Sequence, residues 1–185
     1  MVCLKMMVKL SVCELIEIYQ QRERLTVSGV VSANVPVGLL YTYENGLFQN
    51  LTSTGTYYSI RDLSVCGVNN VTADNVTSTF TIDGTYAGLY EVKLDISYGC
   101  DKTAEIHGSL HINTVHQDYS SFTTDIVNVN KNAVGSFHGY YDLEVGDILT
   151  VMVKTDSANT LFKSDKIQFS IKRIGDLTGQ FAPET

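Results

Sequence analysis

An alternating run of apolar and polar residues between Gly88 and Tyr98 constrains the fold of this chain more than any other segment. Side chains of an extended strand point to opposite faces in turn, so a period of two places one set on an apolar face and the other in water. The apolar positions are Tyr90, Val92, Leu94, Ile96 and Tyr98, and the polar positions are Glu91, Lys93, Asp95 and Ser97. The run therefore predicts a β-strand with one buried face.

Strand patterns continue from about Tyr57 to Leu177, with no helical periodicity between them. They end at turn residues such as Asp83-Gly84 and Gly146-Asp147, and this spacing is typical of sandwiches and barrels. We predict strands over residues 77–82, 88–98, 105–114, 123–129, 135–143, 148–154 and 166–174. The predicted fold class is all-β and antiparallel.

The N-terminal region contains a helical pattern over about residues 11–24. Ser11 can cap this helix, and Glu14 follows three residues later as in a capping box. The apolar face consists of Val12, Leu15, Ile16 and Tyr19. Such a face either packs on the chain's own sandwich or attaches to a partner such as a capsid protein, and both alternatives stay open at this point.

A hairpin is predicted over about residues 38–51, because the dipeptide Asn45-Gly46 separates two short apolar runs. Asn-Gly is a strong hairpin signal, since both residues tolerate positive φ. This hairpin belongs either to a separate attachment subdomain or to the first strands of the sandwich.

Charge and composition exclude several classes of function. The net charge is −7 at pH 7 and no basic cluster is present, so we expect no nucleic-acid partner. No segment approaches the roughly 20 apolar residues of a membrane helix, so membrane insertion is not expected. We also predict no signal peptide and, in a reducing cytoplasm, free thiols at the four cysteines, which contain no C-x-x-C pair.

We expect no enzymatic activity and assign no catalytic residue and no cofactor, because the usual catalytic motifs are missing from the sequence. His107 and His111 share one strand face, and His116 or His138 could approach them in space. Residues four apart on a strand lie roughly 13 Å from each other, too far to bind one ion, so no metal site is assigned. Asp147 is expected to accept backbone N–H bonds in its turn.

Four motifs follow one another in the C-terminal two thirds of the chain: Phe-Thr-Ile, Gly-x-Tyr-x-Val, Leu-x-x-Gly-Asp-x-Leu-x-Val and a terminal Ile-x-Phe-x-Ile. Their positions are Phe80, Ile82, Gly88, Tyr90, Val92, Leu143, Gly146, Asp147, Leu149, Val151, Ile167, Phe169 and Ile171. This order resembles the tumour-necrosis-factor and complement-globular-head jelly roll, and is similar to versions found in phage and other virion proteins. The resemblance implies an antiparallel jelly-roll β-sandwich over residues 51–185, preceded by an attachment region over residues 1–50.

The resemblance also implies a compact homotrimer. The predicted strand at 148–153 is apolar on both faces, so one face would fill the core and the other would contact a neighbouring subunit. Burial of both faces within one subunit is the alternative. The candidate contact residues are Phe137, Tyr140, Tyr141, Ile148, Thr150 and Met152.

The function expected from these features is that of a bacteriophage virion protein, assembled in the host cytoplasm. It would be a trimeric capsid decoration, cement or head-fibre protein whose partner is the major capsid protein or another virion protein. One alternative is a tail-fibre tip that binds a host-surface glycan, and another is a secreted trimeric signalling ligand. Aromatic residues that could form a sugar platform, or pack in the core or an interface, are Tyr57, Tyr58, Tyr119, Tyr140 and Tyr141.

Overall fold

The computed structural model describes residues 35–129 and 131–175, with residues 43–47 described by their backbone alone. The described residues belong to the second of two compact units of the chain, Val35–Thr185. The helix predicted over residues 11–24 falls in the other unit, Met1–Asn34, and lies outside the described residues.

The described residues form eleven β-strands, which confirms the all-β prediction. The strands are β1 (Val37–Leu51), β2 (Tyr58–Ser59), β3 (Ser64–Asn69), β4 (Val71–Asp74), β5 (Thr79–Ile82), β6 (Gly88–Cys100), β7 (Ala104–Ile112), β8 (Val115–Ile126), β9 (Ala133–Leu143), β10 (Ile148–Thr155) and β11 (Thr160–Gly175). They make two antiparallel sheets. The first sheet has the order β3-β1-β11-β6-β9, and the second has the order β4-β5-β10-β7-β8 with β2 paired to β10.

Strand β6 has the predicted alternation. Its five apolar positions from Tyr90 to Tyr98 are buried between the sheets, whereas Lys93 and Asp95 point to the exposed face of the first sheet. Its neighbours β11 and β9 place Phe169 and Phe137 beside Leu94. The period of two in the sequence therefore corresponds to one face in the core and one face outside.

Aromatic pairs fill the space between the two sheets. Phe80 of β5 and Phe169 of β11 have ring centroids 5.1 Å apart, and Tyr98 of β6 lies 5.3 Å from Phe162 of β11. All four side chains are fully buried. Burial of such large apolar surfaces is the main source of stability in a sandwich of this size.

The predicted hairpin over residues 38–51 is wrong. Both of its halves belong to the single strand β1, which pairs with β11 from Val37 opposite Lys172 to Leu51 opposite Thr160. The register shifts between Tyr43 and Leu47, so the Asn-Gly dipeptide lies in an irregularity of the strand and not in a reversal of the chain. The domain boundary predicted at residue 50 consequently falls inside a sheet strand, and the jelly roll begins with β1.

Two strands extend well beyond their predicted limits. Strand β8 begins at Val115 and not at residue 123, and β11 begins at Thr160 and not at residue 166. The added segment of β8 is mostly polar because β8 is an edge strand with an exposed face. A pattern search for apolar alternation misses such a segment.

The cysteines differ from one another. Cys100 is a buried free thiol, and burial, with a smaller contribution from Asp101, raises its pKa to about 11. Cys66 is disulfide-bonded, so the prediction of free thiols is wrong at this position. Among the described residues no helix is long and apolar enough to cross a membrane.

Candidate functional site

The predicted trimer-contact residues do not form one surface. Phe137 faces the interior and is only 7% exposed, so it belongs to the core and is wrong as a contact residue. Tyr141 also faces inward, where its ring packs against the core and its hydroxyl donates a hydrogen bond to Ser120. Tyr140 points outward from the first sheet and is 57% exposed. Of these three aromatic residues, Tyr140 alone is available to a neighbouring molecule.

The other three candidates lie on the second sheet. Leu149, Val151 and Val153 of β10 fill the core, so Ile148, Thr150 and Met152 occupy the opposite, outer face of the strand. Tyr140 lies on the outer face of the first sheet, and the two outer faces of a sandwich point in opposite directions. One flat contact cannot include both sets, and their role in a trimer stays a prediction.

Exposed apolar residues also lie along the edge formed by β8 and β9. These strands are the terminal strands of their sheets and lie side by side. The exposed apolar residues on them and on the segment between them are Val115, Tyr119, Val127, Val129, Val134 and Tyr140. Tyr119 is 98% exposed and Val134 is 76% exposed. Exposed apolar side chains on open sheet edges are typical of an interaction surface.

The β8–β9 edge is held together by Phe122, which sequence reasoning did not single out. A Cβ atom at Gly108 of β7 or at Gly135 of β9 would lie 2.2 Å or 2.5 Å from the Phe122 ring. Phe122 therefore fits between the two sheets because both neighbours lack a side chain. In the sequence, Gly108 and Gly135 within predicted strands are the signal that could have indicated close contact with a large side chain.

A shallow groove of about 500 Å³ lies beside Val134 on the outer face of the first sheet. Its walls include Asp95, Ser97, Lys166 and Gln168 from β6 and β11. Val134 of the β8–β9 edge thus also lines this groove.

Three histidines gather with Tyr57 on the outer face of the second sheet. His116 of β8 is the cross-strand partner of His111, and its ring centroid lies 5.4 Å from that of His111 and 5.7 Å from that of His107. Tyr57 covers the group, with its ring centroid 4.7 Å from that of His111. The expected approach of another histidine is thus confirmed for His116, whereas His138 lies on the first sheet.

The Nδ1 atoms of the three imidazoles all have partners. They lie 2.8 Å from the Thr123 hydroxyl for His107, 3.1 Å from the Thr114 carbonyl for His111 and 3.0 Å from the Asp118 carboxylate for His116. The Nε2 atoms of His107 and His116 are buried without a partner among the described residues. Within the described ranges, no group of three His, Cys, Asp or Glu side chains is placed to hold a metal ion.

The surroundings of His107 and His111 favour the neutral form of both imidazoles. Burial lowers the pKa of His107, and the nearby Lys154, His116 and His111 lower it further. Burial also lowers the pKa of His111, with a further contribution from His116 and Lys154 and an opposing one from the Thr114 carbonyl. His107 and His111 therefore contribute most to stability above the ordinary pKa of histidine.

Asp147 has the predicted role in its turn. Its carboxylate accepts a hydrogen bond from the backbone N–H of Glu144 at 2.7 Å and from the side-chain amide of Asn113 at 2.6 Å. Asn113 in turn accepts a hydrogen bond from the backbone N–H of Ile148. This network fixes the start of β10.

Comparisons with known proteins identify the fold. No family model matches the chain, and no curated protein matches its sequence. The solved structure of the tumour necrosis factor Eiger from S. frugiperda is similar at a TM-score of 0.58 and 12% identity, covering 82% of this chain and 99% of that one. The globular domain of zebrafish complement 1qA is similar at a TM-score of 0.50 and 15% identity, covering 76% of this chain and 98% of that one. The described residues have the tumour-necrosis-factor-like jelly-roll fold, as the sequence resemblance predicts.

Proposed function

We propose that this chain is a structural protein of a bacteriophage virion, a homotrimeric jelly-roll knob without enzymatic activity that decorates or cements the capsid or forms a head fibre. It would be assembled in the host cytoplasm together with the particle. The fold is compatible with many functions, so the proposal depends on the surface of the knob and on the sequence resemblance to virion proteins.

The β8–β9 edge is the observation that carries the homotrimer. Two terminal strands, one from each sheet, lie side by side at this edge and expose the side chains of Tyr119 and Val134. Contact with a neighbouring subunit would bury this surface, and the shallow groove beside Val134 on the first sheet offers a place for that contact. Three copies around a threefold axis would give a closed assembly in which the β8–β9 edge of each copy is covered.

The proposed partner of the trimer is the major capsid protein. The amphipathic face of the predicted N-terminal helix, formed by Val12, Leu15, Ile16 and Tyr19, is the attachment surface that the sequence suggests. These residues lie outside the described part of the chain, so their role stays a prediction.

The homotrimer is tested by light scattering on the purified full chain at micromolar concentration. A trimer has three times the chain mass of 20.4 kDa. A stable monomer at that concentration would contradict the proposed assembly.

The virion role is tested by chemical cross-linking and mass spectrometry of intact particles. We expect cross-links from Lys5 or Lys9, which flank the predicted helix, to the major capsid protein. Cross-links confined to tail proteins would replace the decoration function with the tail-fibre function. Absence of the chain from purified particles would refute both.

A tail-fibre tip that binds a host glycan is the second candidate function. It is favoured by one specific feature, the cavity lined by Tyr57 and Tyr58.

A further inference from the structure

A cavity of about 570 Å³ opens between β1, the segment around β2, and strands β10 and β11. The residues that line it include Phe48, Asn50, Tyr57, Arg61 and Ser164. The volume falls within the range of about 300–1,000 Å³ that is usual for small-molecule sites. It is separate from the β8–β9 edge, to which none of these residues belongs.

Two aromatic side chains of the cavity are held in place by contacts outside it. Tyr57 packs against His111, and the ammonium group of Lys154 lies 4.7 Å from its ring centroid. The Tyr58 hydroxyl accepts a hydrogen bond from the backbone N–H of Ser53 and lies 2.9 Å from the Thr52 hydroxyl. Rings fixed in this way lose little conformational entropy when a ligand packs against them.

Phe48 adds an apolar surface to the cavity. Its side chain on β1 is 64% exposed. The ammonium group of Lys163 lies 5.7 Å from the centroid of the Phe48 ring. An exposed phenylalanine next to a cavity offers contact area without the cost of opening a packed core.

The polar groups of the cavity have free hydrogen-bonding capacity. Among the described residues, Asn50 has no side-chain hydrogen bond, and neither Arg61 nor Asp62 takes part in an ion pair. The hydroxyl of Ser164 is fully buried and has no hydrogen-bond partner in the described part of the chain. A buried polar group without a partner costs free energy, so a ligand that supplies hydroxyl groups to the cavity would stabilise it.

We infer that this cavity is a binding site for a sugar ring in the pyranose form. A pyranose has an apolar C–H face that packs on aromatic side chains and a rim of hydroxyl groups that bind amides, carboxylates and guanidinium groups. Phe48 and Tyr57 provide the apolar contact, and Asn50, Arg61 and Asp62 provide the polar one.

The inference deepens the second candidate function, a glycan-binding tip, and rests on it, but it is independent of the oligomeric state. All the residues that it uses belong to one chain, and a monomeric knob would keep the cavity. Failure of the trimer in light scattering would therefore leave the sugar site standing, and failure of sugar binding would leave the trimer standing.

The site is tested by saturation-transfer NMR on the full chain with four probes at millimolar concentration: glucose, galactose, N-acetylglucosamine and N-acetylneuraminic acid. We expect saturation of the ring protons of at least one probe. Binding of a neutral probe assigns the site to neutral sugars, and binding of N-acetylneuraminic acid alone, with loss in Arg61→Gln, assigns it to acidic sugars. Saturation of none of the four would overturn the inference.

Variants locate the binding to this cavity. Phe48→Ala and Asn50→Ala should each weaken the apparent affinity about tenfold, as expected from loss of one aromatic or polar contact. Val76→Ala and Asn75→Ala are matched controls, because both residues are exposed on the turn between β4 and β5 and should leave the affinity unchanged. Equal binding by all four variants, each with an unchanged circular dichroism spectrum, would also overturn the inference.

Discussion

The ring of Tyr57 stands edge-on to the imidazole of His111, with centroids 4.7 Å apart and planes inclined by 67°. This contact links the wall of the sugar cavity to the histidine cluster on the second sheet. The ring centroids of His107 and His116 lie 5.9 Å and 5.6 Å from that of the same tyrosine. The ammonium group of Lys154 lies over the tyrosine ring. A change of charge in the cluster therefore acts directly on Tyr57.

Acidification should destabilise the fold through this cluster. The pKa values of His107 and His111 are lowered in the folded chain from the ordinary 6.5, so the unfolded chain binds protons first as the pH falls. The stability contributed by the neutral imidazoles is present above the unfolded pKa and is lost as the pH falls through the folded values. Thermal unfolding should show a lower Tm at about pH 5.5 than at about pH 7.5.

Substitution of the histidines should remove that pH dependence. The double variant His107→Gln/His111→Gln is expected to have a smaller difference in Tm between the two pH values than the unsubstituted chain. His138→Gln serves as the control, since His138 lies on the first sheet beside Glu91 and outside the cluster. An unchanged pH difference in the double variant would contradict the assignment.

Truncation of a core aromatic side chain should be costly. Phe169 is fully buried and packs on Phe80, so Phe169→Ala should lower the free energy of unfolding by about 3–5 kcal/mol. Phe48→Ala removes the same side chain from an exposed position and should change the stability by less than about 0.5 kcal/mol. Urea denaturation measures both changes. Similar losses of unfolding free energy in the two variants would contradict the placement of Phe169 in the core.

The glycine beside Phe122 should not tolerate a methyl group. Gly135→Ala would bring a Cβ to 2.5 Å from the Phe122 ring and should cost about 1–3 kcal/mol of unfolding free energy. Phe122→Leu makes room, so the double variant should be more stable than the sum of the single effects predicts. A double-mutant cycle by urea denaturation measures this coupling, and strict additivity would refute the steric explanation.

A charge on the β8–β9 edge should disrupt the proposed trimer. Val134→Lys places a cation on an exposed apolar position of β9 and should shift the mass in light scattering from trimer towards monomer. Val76→Lys makes the same change at an exposed residue of the β4–β5 turn and should leave the trimer intact. Dissociation of both variants, or of neither, would exclude this edge as the contact.

The carboxylate of Asp147 should stabilise the turn before β10. Asp147→Ala removes hydrogen bonds from the Glu144 N–H and the Asn113 amide, and should cost about 1–2 kcal/mol of unfolding free energy. Asp142→Ala, at an exposed position of β9, should have little effect in the same denaturation experiment. Equal stability of the two variants would contradict the role of Asp147.

Much of the fold could be predicted from local patterns. The alternation of β6 and the Gly146-Asp147 turn before β10 are short-range signals, and both correspond to the structure. The Asn45-Gly46 dipeptide is also a short-range signal, but it misleads here. Pairing with β11, more than 100 residues away, keeps β1 continuous through the dipeptide. Long-range strand pairing overrides local turn propensity at that point.

The candidate functional surfaces are harder to predict from the sequence than the fold is. The shared strand face of His107 and His111 can be read from their spacing, but the position of His116 depends on the register of β7 and β8. The β8–β9 edge could not be foreseen because the order of strands in a sheet is not encoded in any one segment. For the same reason the sequence wrongly suggests Phe137 as a contact residue, although its side chain faces the core.

The pairing of β1 with β11 has a topological consequence. Val37 lies opposite Lys172, so the jelly roll starts and finishes at the same place in the first sheet. Any segment fused to either end is therefore tethered at nearly the same point. A short linker between these two strands would close the backbone into a ring, and new ends could be opened at the exposed Gly84 and Thr85 with every strand pairing retained.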